Sequence, residues 1–214
     1  MKFIVFALFV FHIGFSQNTV TYQGEKINEL AFNNSKTGLW KLYDHERGIV
    51  VSSVMKDDAF VSDIEYSQYG KIVATQKGDE VIIYKNDQKV IGTLQFANET
   101  RIVDAGGKEI DLDMQKLYFS VSSLKPMFYG GNVGMRASIM NTIDKSQVKG
   151  HKGKVNIKFV IDNDGIVGSA EVTNSNNAQL NEEALRLVKK LPRFQPGFLH
   201  GRFVRVEFAV PITF

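Results

Sequence analysis

Side chains equipped for chemistry are sparse and scattered in this sequence. Its 214 residues include four histidines and no cysteine. His12, His45, His151 and His200 each stand alone, with no His-x-x-x-His spacing and no Gly-x-Ser-x-Gly context. The missing cysteine excludes a disulfide scaffold, a Cys-ligated zinc site and a thiol nucleophile. Asp162-Asn-Asp-Gly165 has the opening of a calcium loop. Such a loop needs an oxygen ligand at its fifth position, Gly at its sixth and Glu at its twelfth. Those places hold Ile166, Val167 and Thr173, so the stretch reads as a hairpin turn in which Gly165 supplies a positive φ. The acidic pairs Asp57-Asp58 and Asp79-Glu80 lie beside turn signals and read as solvated. His45 in a turn and His200 in the loop before the last strand read as exposed. No enzyme, metal site or cofactor is expected.

The elements that carry these residues fall into a leader and two halves. Met1-Lys2, an apolar run from Phe3 to Phe15 and then Ser16-Gln17 have the form of a secretory signal peptide, cleaved after Ser16. The run is shorter than the roughly 20 residues of a membrane-spanning helix. No Cys follows it to take a lipid. A soluble protein outside the cytoplasm is expected, with residues 1–16 as signal peptide. The formal net charge of +3 is too small to suggest nucleic acid.

Residues 17–118 read as short antiparallel strands and turns. Leu39 to Tyr43 precedes Gly48 to Val51, Ile64 to Tyr66 precedes Tyr69 to Val73, and Val81 to Tyr84 precedes Asn86 to Ile91. Each is an aromatic strand, a polar turn and a β-branched strand, the grammar of a hairpin. No helix longer than two turns is expected here. Trp40 and the tyrosine stripe read as core. Between Phe119 and Gly131, Ser, Pro and Gly break the pattern, so residues 119–131 read as a linker. Fully extended, thirteen residues span at most about 45 Å.

From Asn132 to Phe214 the order is α-β-β-α-β. Met135, Ile139, Met140 and Ile143 fit one apolar helix face. Val155, Ile157, Phe159 and Ile161 alternate with polar residues. Asn181 stands as an N-cap before an acidic first turn, and Leu180, Ala184, Leu187, Val188 and Leu191 make an apolar stripe. A last strand is expected from Phe203 to Phe214. The fold class is therefore α+β: an antiparallel β-hairpin or meander domain followed by a small two-layer αββαβ domain, helices against one sheet face.

Two families are resembled. Lys36-Thr-Gly-Leu-Trp-Lys-Leu-Tyr43 and Tyr69-Gly-Lys-Ile-Val73 look like MORN-type hairpin repeats, although only the first unit keeps Gly38, Trp40 and Tyr43 together; an unrelated meander fits as well. The second resemblance is to the TonB C-terminal domain family, across roughly 130–214. It rests on Gly153 to Val167, Leu180 to Val188, Leu191-Pro-Arg-Phe-Gln-Pro-Gly197 and Gly201 to Phe214, in matching order and spacing. Pro126-Met-Phe-Tyr-Gly-Gly131 is similar to the start of many such domains. The Tyr-Pro pair that commonly ends their first helix is replaced by Ile143-Asp-Lys145.

The TonB resemblance implies a periplasmic domain that takes a TonB-box-like peptide of an outer-membrane transporter as an added strand, main-chain bonds giving affinity and pockets specificity. Arg202, Phe203, Val204, Arg205, Val206 and Glu207 are the residues expected to line the open edge. Residues 132–214 carry twelve Lys and Arg against seven Asp and Glu, whereas residues 17–131 carry thirteen against sixteen. The basic half suits an acidic partner or surface. Two alternatives stand beside the soluble binding protein. One is an inner-membrane-anchored energy transducer, partnered by a motor complex, if residues 2–15 are retained. The other is a structural envelope protein whose halves dock to other proteins.

Overall fold

A computed structural model describes residues 18–96 and 99–214. The leader expected over residues 1–16 lies outside the described residues. No helix among them is long and apolar enough to cross a membrane.

The first ten strands form one antiparallel sheet. They are β1 (Asn18–Tyr22), β2 (Glu25–Leu30), β3 (Lys36–Asp44), β4 (Ile49–Lys56), β5 (Ala59–Phe60), β6 (Ile64–Gln68), β7 (Lys71–Lys77), β8 (Glu80–Lys85), β9 (Gln88–Phe96) and β10 (Thr100–Val103). Each pairs with its sequence neighbour, except that β4 pairs with both β5 and β6. All three hairpins read from the sequence pair as β3/β4, β6/β7 and β8/β9. Their turns show why. Tyr69 and Gly70 have φ of 49° and 77°, and Asn86 and Asp87 have 47° and 63°. Two successive positive φ values make the tight turn whose twist matches that of the paired strands. Strand alternation puts Trp40, Leu42, Ile49, Val51, Tyr66, Ala74, Val81 and Ile83 on one buried face.

What covers that face differs from expectation. Helix α1 (Leu112–Val121) crosses the anticipated end of the first half at position 118. Asp111 caps it by accepting from the backbone N–H of Asp113 and Met114, and Met114, Tyr118 and Val121 turn into the core. Strand β11 (Ser123–Leu124) follows and pairs with β14 (Gly197–Leu199), which pairs with β15 (Arg202–Val204). Residues 119–131 are thus not an extended linker. They end a helix, form a strand and bond Met127 to Gln195 through both main-chain groups. Phe198 and Phe203 of the β14–β15 hairpin pack beside Trp40, Phe60 and Tyr66 in the core of the large sheet.

The remaining elements make the second layer pair. They are α2 (Gly131–Thr142), α3 (Lys145–Val148), β12 (Lys154–Ile161), β13 (Val167–Ser175), α4 (Asn181–Lys189) and β16 (Val206–Thr213). The sheet order is β13-β12-β16, all antiparallel. Val155, Ile157, Phe159, Ile161, Val210 and Ile212 face Met135, Ile139 and the apolar stripe of α4. The turn at Asp162–Gly165 is the expected hairpin. Gly165 has φ of 86°, and a Cβ there would lie 1.9 Å from the Phe194 carbonyl oxygen. Two details depart from the sequence reading. Asn181 is the first residue of α4 and not its cap; Asn177 accepts from Gln179 N–H and starts a short 3-10 turn, Ala178–Leu180, that runs into the helix. The last strand is two strands in two sheets, broken at Arg205.

Candidate functional site

β16 is an edge strand. β12 occupies one side, and no strand pairs with the other among the described residues. Which main-chain groups point outward follows from the register. Gly153 and Phe214 exchange both hydrogen bonds, donor to acceptor, at 2.9 and 3.5 Å. In an antiparallel ladder such pairs alternate with pairs whose groups point away. Continuing the register, Ile212, Val210, Phe208 and Val206 bond inward to Val155, Ile157, Phe159 and Ile161. Thr213, Pro211, Ala209 and Glu207 therefore direct their main-chain groups to the open side. Pro211 sits where a missing N–H removes nothing from the ladder, as proline on an edge strand should. The open side offers N–H donors at Glu207, Ala209 and Thr213 and carbonyl acceptors at all four.

The side chains of these four residues lie on the sheet face away from the helices, and all are exposed. Glu207 forms an ion pair with Lys158, 3.3 Å away, and Lys158 also reaches Glu171 at 3.0 Å. The Lys158 ammonium is held above the usual lysine range by its hydrogen bonds to Glu171 and Glu207. At the other end of the strand, Ile212, Pro211 and Thr213 border a groove of about 340 Å³ with Lys154 and with Arg136, Ile139 and Met140 of α2.

The structure divides the residues anticipated at the edge. Arg202, Phe203 and Val204 belong to β15, whose partner is β14. Phe203 is directed inward: its ring meets Trp40 edge-on at 5.1 Å and stacks on Phe60 at 5.8 Å. Arg202 lies over the Phe96 ring at 4.2 Å. Arg205 marks the break and pairs with Asp162 at 2.7 Å. Only Val206 and Glu207 belong to β16. Alternation is continuous from Val204 to Phe214, across the break at Arg205, so it does not mark the change of sheet. Proline at position 211 was the available signal for the edge further along.

The described histidines do not come together in a catalytic group. His45 stacks on Tyr43 at 5.6 Å and bonds the Tyr22 hydroxyl at 2.7 Å. His200 is half-buried rather than exposed. Its Nδ1 is 2.8 Å from Ser122 Oγ, and its ring lies against Tyr118 and Phe119. Ser122 is fully buried, so this pair holds the β14–β15 turn to α1 and offers no reachable nucleophile. Burial pushes the His200 imidazole below its ordinary pKa. Gln76 joins the same node. Its Oε1 accepts from Tyr66 and Tyr118 hydroxyls, and its Nε2 donates to the His200 carbonyl. No cluster of three metal-ligating side chains occurs among the described residues.

Comparison with known proteins bears on the second layer pair. Residues 144–214 match the model of the family described as Gram-negative bacterial TonB protein C-terminal. The matched segment takes in β12, β13, α4 and β14 to β16, and begins after α2. The solution structure of the Helicobacter pylori TonB C-terminal domain is 24% identical, over 38% of this chain and 89% of that one, with a TM-score of 0.30. No curated protein matches the chain.

Proposed function

We propose, taking residues 144–214 as a TonB C-terminal family domain, that this protein works in the periplasm and captures an extended segment of an outer-membrane transporter on the open side of β16. The family is an interaction domain for such transporters. The observation that carries the reading is the row of outward main-chain groups at Glu207, Ala209, Pro211 and Thr213. An extended chain laid beside them satisfies its own donors and acceptors without rearranging either sheet. The site is accordingly Glu207 to Thr213, shifted toward the C-terminus from the residues that sequence alone indicated.

Capture without a long spacer suits the way the halves are joined. Gln195 accepts from the Tyr43 N–H at 2.6 Å and donates to the Tyr43 carbonyl at 2.9 Å, as another strand would. Arg47 donates to the carbonyls of Ser120 and Ser123. The ten-stranded sheet is the platform on which the edge is presented.

The test is amide hydrogen exchange with a peptide from the periplasm-facing end of an outer-membrane transporter. Saturation should slow exchange at Glu207, Ala209 and Thr213 while the rest of β16 stays as protected as before. Ala209→Pro removes an outward donor without touching the β12 ladder and should abolish binding. Protection appearing on β13 or β1 instead would overturn the assignment.

A further inference from the structure

Another cavity, lined by no residue of β16, opens between the two halves and holds about 480 Å³. That volume suits a small organic molecule. The first half contributes Lys36 of β3, Asp58 of the β4–β5 turn and Phe60 of β5. The second contributes Asp164 of the β12–β13 turn and Arg202 and Phe203 of β15. Lys36 is the buried charge of this cavity. Its side chain is 7% exposed, and Asp58 Oδ1, at 3.2 Å, is the one hydrogen-bond acceptor its ammonium has among the described residues. The same oxygen takes the Lys36 N–H at 2.9 Å. The other neighbours of the ammonium are rings, with the Phe203 and Trp40 centroids 5.2 and 5.9 Å away. An ammonium carries three donors, so two are left over, and a buried cation is costly unless further acceptors reach it.

Two more charges line the cavity and stay apart. Arg202 lies over the Phe96 ring and has no carboxylate within ion-pair distance among the described residues. Asp164 accepts the Ile166 N–H with one oxygen and has no cation within that distance. Opposite charges separated by a solvent-filled gap attract weakly. A ligand that sets its own charges against both, within hydrogen-bond reach, gains far more.

We propose that this cavity binds a free α-amino acid with an apolar side chain. Its carboxylate takes donors from Lys36 and Arg202, and its ammonium meets Asp164. Its side chain covers the half-buried, stacked rings of Phe60 and Phe203. A carboxylate ligand without an ammonium leaves Asp164 unanswered, and an ammonium ligand without a carboxylate leaves Lys36 and Arg202 so. The zwitterion matches all three and keeps the Lys36–Asp58 pair in place. The site stands or falls independently of the β16 edge.

The test is calorimetric titration of the full chain at low salt with L-phenylalanine, N-acetyl-L-phenylalanine, L-phenylalanine amide and L-alanine. L-Phenylalanine should bind about tenfold more tightly than the acetylated form or the amide, each of which lacks one charge. It should exceed L-alanine, which lacks the ring, by about as much. Trp40, the sole tryptophan, meets the Phe203 ring at 5.1 Å, so its emission should change with the same midpoint. Asp164→Asn keeps an acceptor for the Ile166 N–H and should erase the preference over the acetylated form. Arg202→Met should cut the preference over the amide about threefold or more. Arg202 is exposed and Asn suits the turn at position 164, so both variants fold. No binding of L-phenylalanine up to about 10 mM, equal affinity across the four ligands, or preferences that survive both variants would each overturn the site.

Discussion

The two sheets of this protein are built on opposite principles. In the ten-stranded sheet nearly every strand pairs with the next one in sequence, and five of the connections are turns of two residues. In the three-stranded sheet the paired strands β12 and β16 are separated in sequence by β13, a helix and the β14–β15 hairpin. Local pairing makes a broad, regular platform. Distant pairing leaves β16 at an edge, with one row of main-chain groups unpaired among the described residues. The seam between them is neither: Phe198 and Phe203 arrive from the second half to complete the core of the first. The second half thus lends the platform a hairpin, β14–β15.

The sharpest way to break this contrast is Phe198→Ala. Its ring is fully buried against Phe60, Tyr66 and Phe203, so truncation should cost about 3–5 kcal/mol. Urea unfolding followed by Trp40 fluorescence, which reports on the first sheet, should shift by as much as far-UV circular dichroism. Separate transitions would show two independent halves. Next comes Gly165→Ala, confined to the β12–β13 turn. Positive φ and the clash with the Phe194 carbonyl should together cost about 2–3 kcal/mol. If the seam couples the halves, Trp40 unfolding moves with it.

Gln195→Ala attacks the seam directly. It leaves the Tyr43 N–H and carbonyl without their partner and should cost about 2 kcal/mol, read as a lower midpoint at unchanged slope. The smallest effect is a pH dependence from His200. Its folded pKa lies below the unfolded value of about 6.5. Stability from burying the neutral ring is therefore complete above pH about 6.5. It declines as pH falls from there through the folded pKa, because the unfolded chain takes up the proton first. His200→Gln should flatten the melting temperature between pH 7.5 and 5.5 relative to the native chain. An unchanged slope would remove His200 from the seam.

Much of the platform was legible because its determinants are local. Gly, Asn and Asp at the turns and strict alternation in the strands specify each hairpin within a dozen residues. Helix α1 has a local signal too. Asp111 stands as a cap, and Met114, Tyr118 and Val121 follow at helical spacing, but the strand-rich surroundings and the serines after Phe119 masked it. The apolar stripe of α4 is buried as its spacing predicts, while Asn177 and Asn181 are equally good caps by residue type and only the fold makes Asn177 the one that caps.

The candidate site was legible only in kind. An edge strand near the C-terminus followed from the TonB resemblance, but its position did not. The alternation of Val206 to Thr213 extends back through Arg205 to Val204 without a break, and only pairing shows that Val204 belongs to another sheet. Gly197 faces Val204 in one ladder and Ile161 faces Val206 in the next, which forces the chain to change sheets across Arg205. Met140 is the same lesson at the scale of one side chain. Helical spacing placed it on the apolar face, and the fold leaves it exposed at the groove beside Ile139 and Ile212.

By itself, then, the sequence determined the local units: the hairpins and their turns, the stripe of α4, the alternation of β12 and the cysteine-free chemistry. Each is decided by sterics and hydrophobic periodicity over a few residues. Tertiary structure alone decided that the supposed linker is helix and strand, that the β14–β15 hairpin belongs to the first core, and that Glu207, Ala209, Pro211 and Thr213 face outward. Those outcomes depend on which distant backbones share hydrogen bonds, and that is settled only when burial of the whole core selects one pairing among several of similar local merit.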